Sequence, residues 1–215
     1  MSSFPRSPRL FKGAIIAIDD FILNSKVISF QYNPDTITRS LTPKHSKAQG
    51  SNAEAFRLEG APDETINVDV ELDATDQLES PGKNLSTVLL GISPQLAALE
   101  TIMYPSPSQI ISNAALAKSG TKEIIPPVGP LTLFIFGATK VLPVKITKYD
   151  ITEEAYDANL NPIRAKVKIS MSVLTYADLQ QSQLAYSLYQ VNHVGKEVMA
   201  KLATLNSISS MIGIL

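Results

Sequence analysis

The sequence predicts a mainly β domain of α+β class, with one short helix inside it and an amphipathic helical tail. Three observations predict this. Residues 145–173 (KITKYDITEEAYDANLNPIRAKVKISMSV) read as a long two-stranded ribbon. Its second arm alternates strictly, with Ala165, Val167, Ile169, Met171 and Val173 on one face and Lys166, Lys168, Ser170 and Ser172 on the other. A period of two marks a strand with one face buried and one wet. Residues 65–73 alternate in the same way, placing Ile66, Val68, Val70 and Leu72 opposite Asn67, Asp69, Glu71 and Asp73. After Asp178 the apolar spacing changes to three and four, through Leu184, Leu188, Val191, Val194, Val198, Leu202, Leu205, Ile208, Ile212 and Leu215. That period belongs to a helix with one apolar face.

The remaining elements follow in chain order. Residues 1–10, with Pro5, Pro8, Arg6 and Arg9, read as an extended arm. Residues 11–19 are apolar and β-branched and form a first strand; 27–32 form a second, stopped by Asn33-Pro34, and 36–41 a third. Residues 42–54 are polar and carry Pro43, Gly50, Ser51 and Asn52, a loop composition. Residues 93–104 predict a helix, capped by Ser93, with Pro94 in its first turn and a stripe of Leu96, Leu99 and Met103. A Pro- and Ser-containing connection over 105–130 leads to the apolar strand 131–136, which reads as central. The ribbon's turn, 157–162, is built of Asp, Asn and Pro, residues that reverse a chain. The expected organisation is an arm at 1–10, a β domain at 11–177 and a helical tail at 178–215.

Composition narrows the function classes. The chain has 215 residues and is 44% hydrophobic, enough for one domain with a real core. Lys and Arg total 19 against 20 Asp and Glu, a net charge of -1. This lacks the electrostatic footprint of a nucleic-acid binder and leaves little charge repulsion against self-association. The absence of Cys excludes disulfides, thiolate catalysis and iron–sulfur sites. No signal-peptide pattern opens the chain and no apolar run is long enough to span a bilayer as a helix. A protein assembled in the cytoplasm, without direct membrane insertion, is expected.

No constellation for catalysis stands out. His45 and His193 have no nucleophilic or acidic neighbours in sequence and read as solvated side chains. Asp69, Glu71 and Asp73 share a strand face at about 6–7 Å spacing, wide for one cation, and read as a polar face paired with Lys145, Lys148, Lys166 or Lys168. No glycine-rich phosphate loop or nucleophile elbow occurs. No catalytic residue, cofactor or metal is expected. The tail carries few cations and no Trp or Phe, which favours docking on protein over a membrane surface.

A resemblance joins these pieces. Phe30, Tyr32-Asn33-Pro34, Ile37 and Arg39-Ser40 resemble the opening block of the tube-protein domain of contractile injection systems. Residues 56–60, 62–65 and 72–75 resemble that domain's next block, and Asn161-Pro162-Ile163-Arg164-Ala165 its last hairpin. The resemblance covers about residues 11–177. It implies a phage tail-tube-like β-barrel or sandwich domain that closes with further copies into a homohexameric ring around a lumen. It also implies a role as the layer that joins the spike and baseplate hub to the inner tube and templates its polymerisation. The implied partners are the inner-tube protein, the spike trimer and baseplate proteins, with the sheath as a further candidate. On this reading Tyr32, Asn33, Pro34, Ile151, Asn161, Pro162, Arg164, Val167, Ile169 and Met171 serve the ring and its stacking. The LysM module that members in this role often carry does not appear before Leu215. The tail, through Leu184, Leu188, Val191, Val198, Leu202 and Leu205, is expected to dock on the baseplate in its place. The alternatives are the main inner-tube subunit of the same machine, or a small ligand-binding β-barrel. The barrel is disfavoured by inward positions that are all apolar (Ile66, Val68, Val70, Val167, Ile169, Met171).

Overall fold

The computed structural model describes residues 11–18, 25–45, 57–104, 110–111, 114–116, 129–181 and 184–212, with side chains of the last helix described to Leu205. The expected arm at 1–10, most of the loop at 42–54 and most of the 105–130 connection lie outside the described residues. Seven antiparallel strands form one sheet in the order β2-β1-β5-β6-β7-β4-β3. They are β1 (Ala14–Ile18), β2 (Lys26–Ser29), β3 (Ile37–Thr42), β4 (Asp63–Asp73), β5 (Leu131–Ile135), β6 (Val141–Tyr156) and β7 (Pro162–Val173). Between β4 and β5 stand the short helices α1 (Thr75–Leu78), α2 (Leu85–Leu90) and α3 (Ser93–Glu100), and after β7 comes α4 (Leu184–Ile212). The fold is mainly β as the alternation predicts, and the sheet of the single chain is open rather than closed.

The ribbon is the axis of the sheet. Strand β7 pairs with β4 from Thr65↔Ser172 to Asp73↔Arg164, and with β6 from Val144↔Val173 to Tyr156↔Pro162. Its alternating apolar residues all point to one side. There Ala165, Val167, Ile169, Met171 and Val173 join Ile66, Val68, Val70 and Leu72 of β4 in a single core cluster. The same cluster takes in Ile15, Ala17, Phe30, Phe134, Leu142 and Val144, and the helical residues Ile92, Leu96, Leu99 and Ile102. Strand β5 is buried in its middle and flanked by β1 and β6, as its almost wholly apolar run predicts.

Residues 74–104 run across this apolar face. At one end Ala74 N donates to Ile163 O and Ile92 N to Pro162 O, tying the segment to the start of β7. At the other, Lys26 Nζ donates to Thr101 O, tying it to β2. The helix predicted at 93–104 is therefore shorter, ending at Glu100, and Ser93 is its first residue rather than its cap. Ile92 holds the cap position and, being apolar, offers no side-chain cap bond, while its N donates to Pro162 O and so ties the start of the helix to β7. Leu96 and Leu99 are buried as expected, while Met103 lies past the helix and is exposed. Helices α1 and α2 are too short to leave a legible period.

Strand β6 is irregular. Its pairing with β7 shifts register between Ile146 and Lys148, between Glu153 and Ala155 and between Ala155 and Tyr156. Such bulges bend a strand and increase its local twist. The turn 157–161 is held by Asp157, whose Oδ1 accepts from Asn159 N and Asn161 N, while Leu160 takes a positive φ of 65.

Gly91 is demanded both by its backbone and by the space around it. Gly91 has φ +58, and a Cβ there would sit 2.1 Å from Pro162 O. It joins α2 to α3 at the point where that segment meets β7. Gly91→Ala is expected to cost about 2–4 kcal/mol, combining left-handed strain with overpacking. Gly195→Ala, in open space within α4, is expected to stabilise that helix by about 1 kcal/mol. Chemical denaturation of the two variants checks both signs.

Candidate assembly surfaces

Three surfaces can serve assembly: the polar face of the ribbon, the free edge of β6 and the outer side of α4. The polar face opposite the core carries charge in register. Asp69 stands beside Lys168, Glu71 beside Lys166 and Asp73 beside Arg164, and on the other flank Asp150 beside Lys168. Arg164 bonds Asp73 at 2.8 Å, Lys166 bonds Glu154 at 3.0 Å and Lys148 bonds Asp150 at 2.7 Å. The expectation that the β4 carboxylates face lysines of a neighbouring strand holds for Lys166 and Lys168. Lys145 and Lys148 belong to β6, one strand further away.

The segment Gln31–Thr36 borders this face, and Tyr32, Asn33, Pro34 and Asp35 line a groove with Asp69, Glu71, Lys166 and Lys168. It also guards the edge of β4 where β3 ends. Gln31 Nε2 donates to Asp73 O at 2.6 Å and Gln31 Oε1 accepts from Asp73 N at 3.0 Å, replacing a ladder partner. Asn33 receives a bond from Gly13 N and donates to Phe11 O, both at 2.8 Å. Asn33 is thus a clamp between the turn and β1, and Tyr32 is exposed beside it.

The other expected interface residues divide by burial. Val167, Ile169 and Met171 are at most 1% exposed and belong to the chain's own core. Ile151 is half-buried on the same side. Pro162 is buried, and its carbonyl receives Ile92 N. Asn161 Nδ2 donates to Asp157 Oδ2 and to Leu89 O, joining the hairpin tip to α2. Of the set, Tyr32, Asn33 and Arg164 are exposed.

The sequence leaves open which arm of the ribbon keeps an unpaired edge, and the structure gives it to β6. Strand β5 pairs with β6 only from Val141 to Val144. From Lys145 to Tyr156, among the described residues, β6 has β7 on one side and no strand on the other. At a rise of about 3.4 Å per residue this edge is about 40 Å long. Strand β3 ends the sheet on the far side, and most of its side chains are exposed.

Helix α4 docks on the rest of the chain through its first half. Ala185 is buried, Tyr189 meets Tyr176 edge-on at 6.1 Å, Asn192 Nδ2 donates to Thr139 O at 3.0 Å and Lys196 Nζ lies 3.2 Å from Glu64 Oε2. Glu64 is itself buried and also accepts from Arg39 Nε at 2.7 Å. Its two cations satisfy a carboxylate that burial alone would penalise. His193 stacks on Tyr189 and is otherwise exposed, and His45 is exposed in a bridge with Leu58. Leu188 is half-buried, whereas Leu184, Val191, Val198, Leu202 and Leu205 are exposed.

Among the described residues no group of three His, Cys, Asp or Glu could hold a metal ion. Among them, too, no helix is long and apolar enough to cross a membrane, which says nothing of a β-barrel. Burial alone raises the Tyr149 phenol well above its ordinary range, and its hydroxyl has no partner.

No family model and no curated protein matches the chain. Among solved structures it is similar to a chain in the tail of an empty gene transfer agent (GTA) particle with C6 symmetry, at 11% identity and a TM-score of 0.28, over 75% of this chain and 90% of that one. It is also similar to a chain in the virion of a native gene transfer agent particle, at 12% identity and a TM-score of 0.26, with the same coverage. TM-scores this low do not establish a common fold, so neither likeness bears on what this chain does.

The polar face has a pH signature. The Thr75 hydroxyl, then its backbone N–H and Arg164, hold the Asp73 carboxyl below its ordinary range, against the opposing effect of burial. A carboxyl depressed by folding contributes stability above its unfolded pKa and loses it as pH falls through the folded one. Thermal stability is expected to fall as pH drops below about 4. Asp73→Asn should lower the melting temperature at pH 7 and flatten that acid limb. A melting series over pH checks both.

Proposed function

We propose that this chain is a structural, non-enzymatic subunit of a phage-tail-like particle, closing with further copies into a ring by edge-to-edge strand pairing. The observation that carries this reading is the unpaired edge of β6 from Lys145 to Tyr156. An exposed strand edge is a template for another strand, and a monomer that keeps one this long risks indiscriminate pairing. The guarded edge of β4 shows the contrast, since Gln31 occupies it. Pairing β6 of one copy with a sheet edge of the next is a head-to-tail contact, and such contacts form rings when the rotation closes.

The resemblance of the 30–40 block and the ribbon tip to tube-protein domains supports a six-membered ring as the layer between the spike and baseplate hub and the inner tube. Its neighbours would then be inner-tube protein on one side and spike or baseplate proteins on the other. The near-neutral, paired charges of the ribbon's outer face suit a surface that meets protein without strong selection by sign. The main inner-tube subunit is the second reading, favoured by the same edge, and copy number separates the two. Quantitative mass spectrometry of the purified particle is expected to give about six copies for a single closed ring, against many more for a tube.

A pair of proline variants tests the edge. Successive N–H groups in a strand point to opposite sides, so of Thr152→Pro and Glu153→Pro one strikes the β7 ladder and the other the free edge. Both side chains are exposed. The free-edge variant is expected to keep its fold by circular dichroism and to elute as a monomer in light-scattering chromatography, where the unmodified chain elutes as a ring. If both variants fold and still form rings, β6 is not the seam.

A further inference from the structure

The order of the strands decides which edge is able to receive the free edge of β6. Strand β6 is free on the side where β5 lies, since β5 pairs with it only over Val141–Val144. The sheet ends on that side with β2 and on the opposite side with β3. Copies in a ring are related by rotation, which keeps all their apolar faces on one side of the wall. An edge facing one way then meets only an edge facing the other. This rules out β2, and it rules out a second β6. Among the described residues two edges face the opposite way. One is the end of β4, from Asp69 to Asp73, which runs past β3. It is bordered by residues 32–36 and occupied at Asp73 by Gln31. The other is β3.

We propose, resting on the ring reading above, that the outer edge of β3 in one copy receives the free edge of β6 in the next, antiparallel and with the apolar faces continuous. Strands β6, β7, β4 and β3 are consecutive and each is antiparallel to the next. Strands β3 and β6 therefore run in opposite senses, and rotation about a ring axis keeps those senses, so the seam continues the order of the sheet. The edge of β3 is receptive. It pairs with β4 from Ile37↔Val68 to Thr42↔Asp63 without a register shift and contains no Pro. Its one charged residue, Arg39, turns to the buried Glu64, with Nε 2.7 Å from Oε1. The bulge, proline or free charge that blunts a strand edge is missing. The side chains match as well. Ile37, Arg39 and Leu41 stand opposite Val68, Ile66 and Glu64, on the apolar side. Tyr149 and Ile151 of β6 lie half-buried on that same side. Leu41 is 52% exposed in the single chain, and the seam covers it. One register sets Arg39 opposite Glu153, Leu41 opposite Ile151 and Ser40 opposite Thr152. The five N–H donors of Arg39 suffice for both carboxylates. A shift of two residues in either direction sets Glu153 against Ile37 or Leu41, and a shift of one inverts the faces.

The chain contains no Cys, so paired cysteines report the seam without background. Ser40 and Thr152 are exposed. Residues directly opposite on antiparallel strands lie about 4.5–5.5 Å apart at Cα, within reach of a disulfide. The full-length double variant Ser40→Cys/Thr152→Cys and each single variant are oxidised mildly and run on a non-reducing gel. Circular dichroism reports their fold, and light scattering gives the size of the unoxidised assembly. The double variant is expected to form a ladder of covalent multimers at least about tenfold faster than the single variants form dimers, because a head-to-tail contact brings unlike sites together. A ladder from Ser40→Cys/Asp150→Cys in its place keeps the β3 seam and moves its register by two residues. Rings in which neither double variant forms a ladder overturn the β3 seam and leave the ring. Fast dimers from Thr152→Cys alone also overturn it, because they place β6 against β6. Folded monomers throughout, the unmodified chain included, remove the ring and the seam with it.

Discussion

Strand β7 is the constraint on which the structure depends. It is the one strand that carries long ladders on both sides, to β4 and to β6, and its side-chain alternation decides what each face of the sheet does. Shifting its register by one residue would turn Val167, Ile169 and Met171 to water and bring Lys166 and Lys168 against Leu96 and Leu99. The cost of burying two lysines without partners makes that alternative inaccessible. The backbone bonds from Ala74 and Ile92 to Ile163 and Pro162 lock the helical segment to the same strand. Register, helix placement and face identity are therefore a single decision.

The two faces divide the work between folding and contact. The apolar face is closed within the chain by residues 74–104, so the residues that make the ribbon look like an interface are already used. The polar face is settled by cross-strand pairs whose charges nearly cancel. Exposed ion pairs of this kind contribute little stability each, about 0–1 kcal/mol. Their effect is on specificity, since like charges placed opposite one another would oppose the register. What the chain leaves unsatisfied is backbone at the β6 edge and apolar side chain along α4.

Much of the fold was legible in the sequence because the strongest patterns are long. The alternation of 65–73 and 165–173 located β4 and β7 to within two or three residues, and the three-four spacing after Asp178 located α4. The pairing of Asp69 and Glu71 with lysines on a neighbouring strand was also readable, because the residues share a period, whereas Asp73 meets Arg164 instead. Helices α1 and α2 were not, since four to six residues leave no period to detect. The start of α3 was misjudged because a tertiary bond to Pro162 O, invisible in a local pattern, sets it. The buried members of the interface set, Val167, Ile169 and Met171, come from the most regular strand. Regularity reports burial, and a chain can bury a face against itself as well as against a copy. Which arm of the ribbon would keep a free edge had no signal, because an unpaired edge is a property of what neighbouring strands lack.

The register shifts in β6 bear on the size of any closed assembly built from its edge. A straight edge adds strands at a constant small rotation and has no preferred circumference. The shifts at Ile146/Lys148 and in the segment Glu153–Tyr156 place bends near both ends of the unpaired stretch. In the proposed ring these bends, together with strand tilt, fix the turn from one copy to the next and so the bore of the lumen. Subunit number would then be written in local backbone geometry, and a deletion that straightened β6 would change the diameter of the assembly before it changed the affinity of its parts.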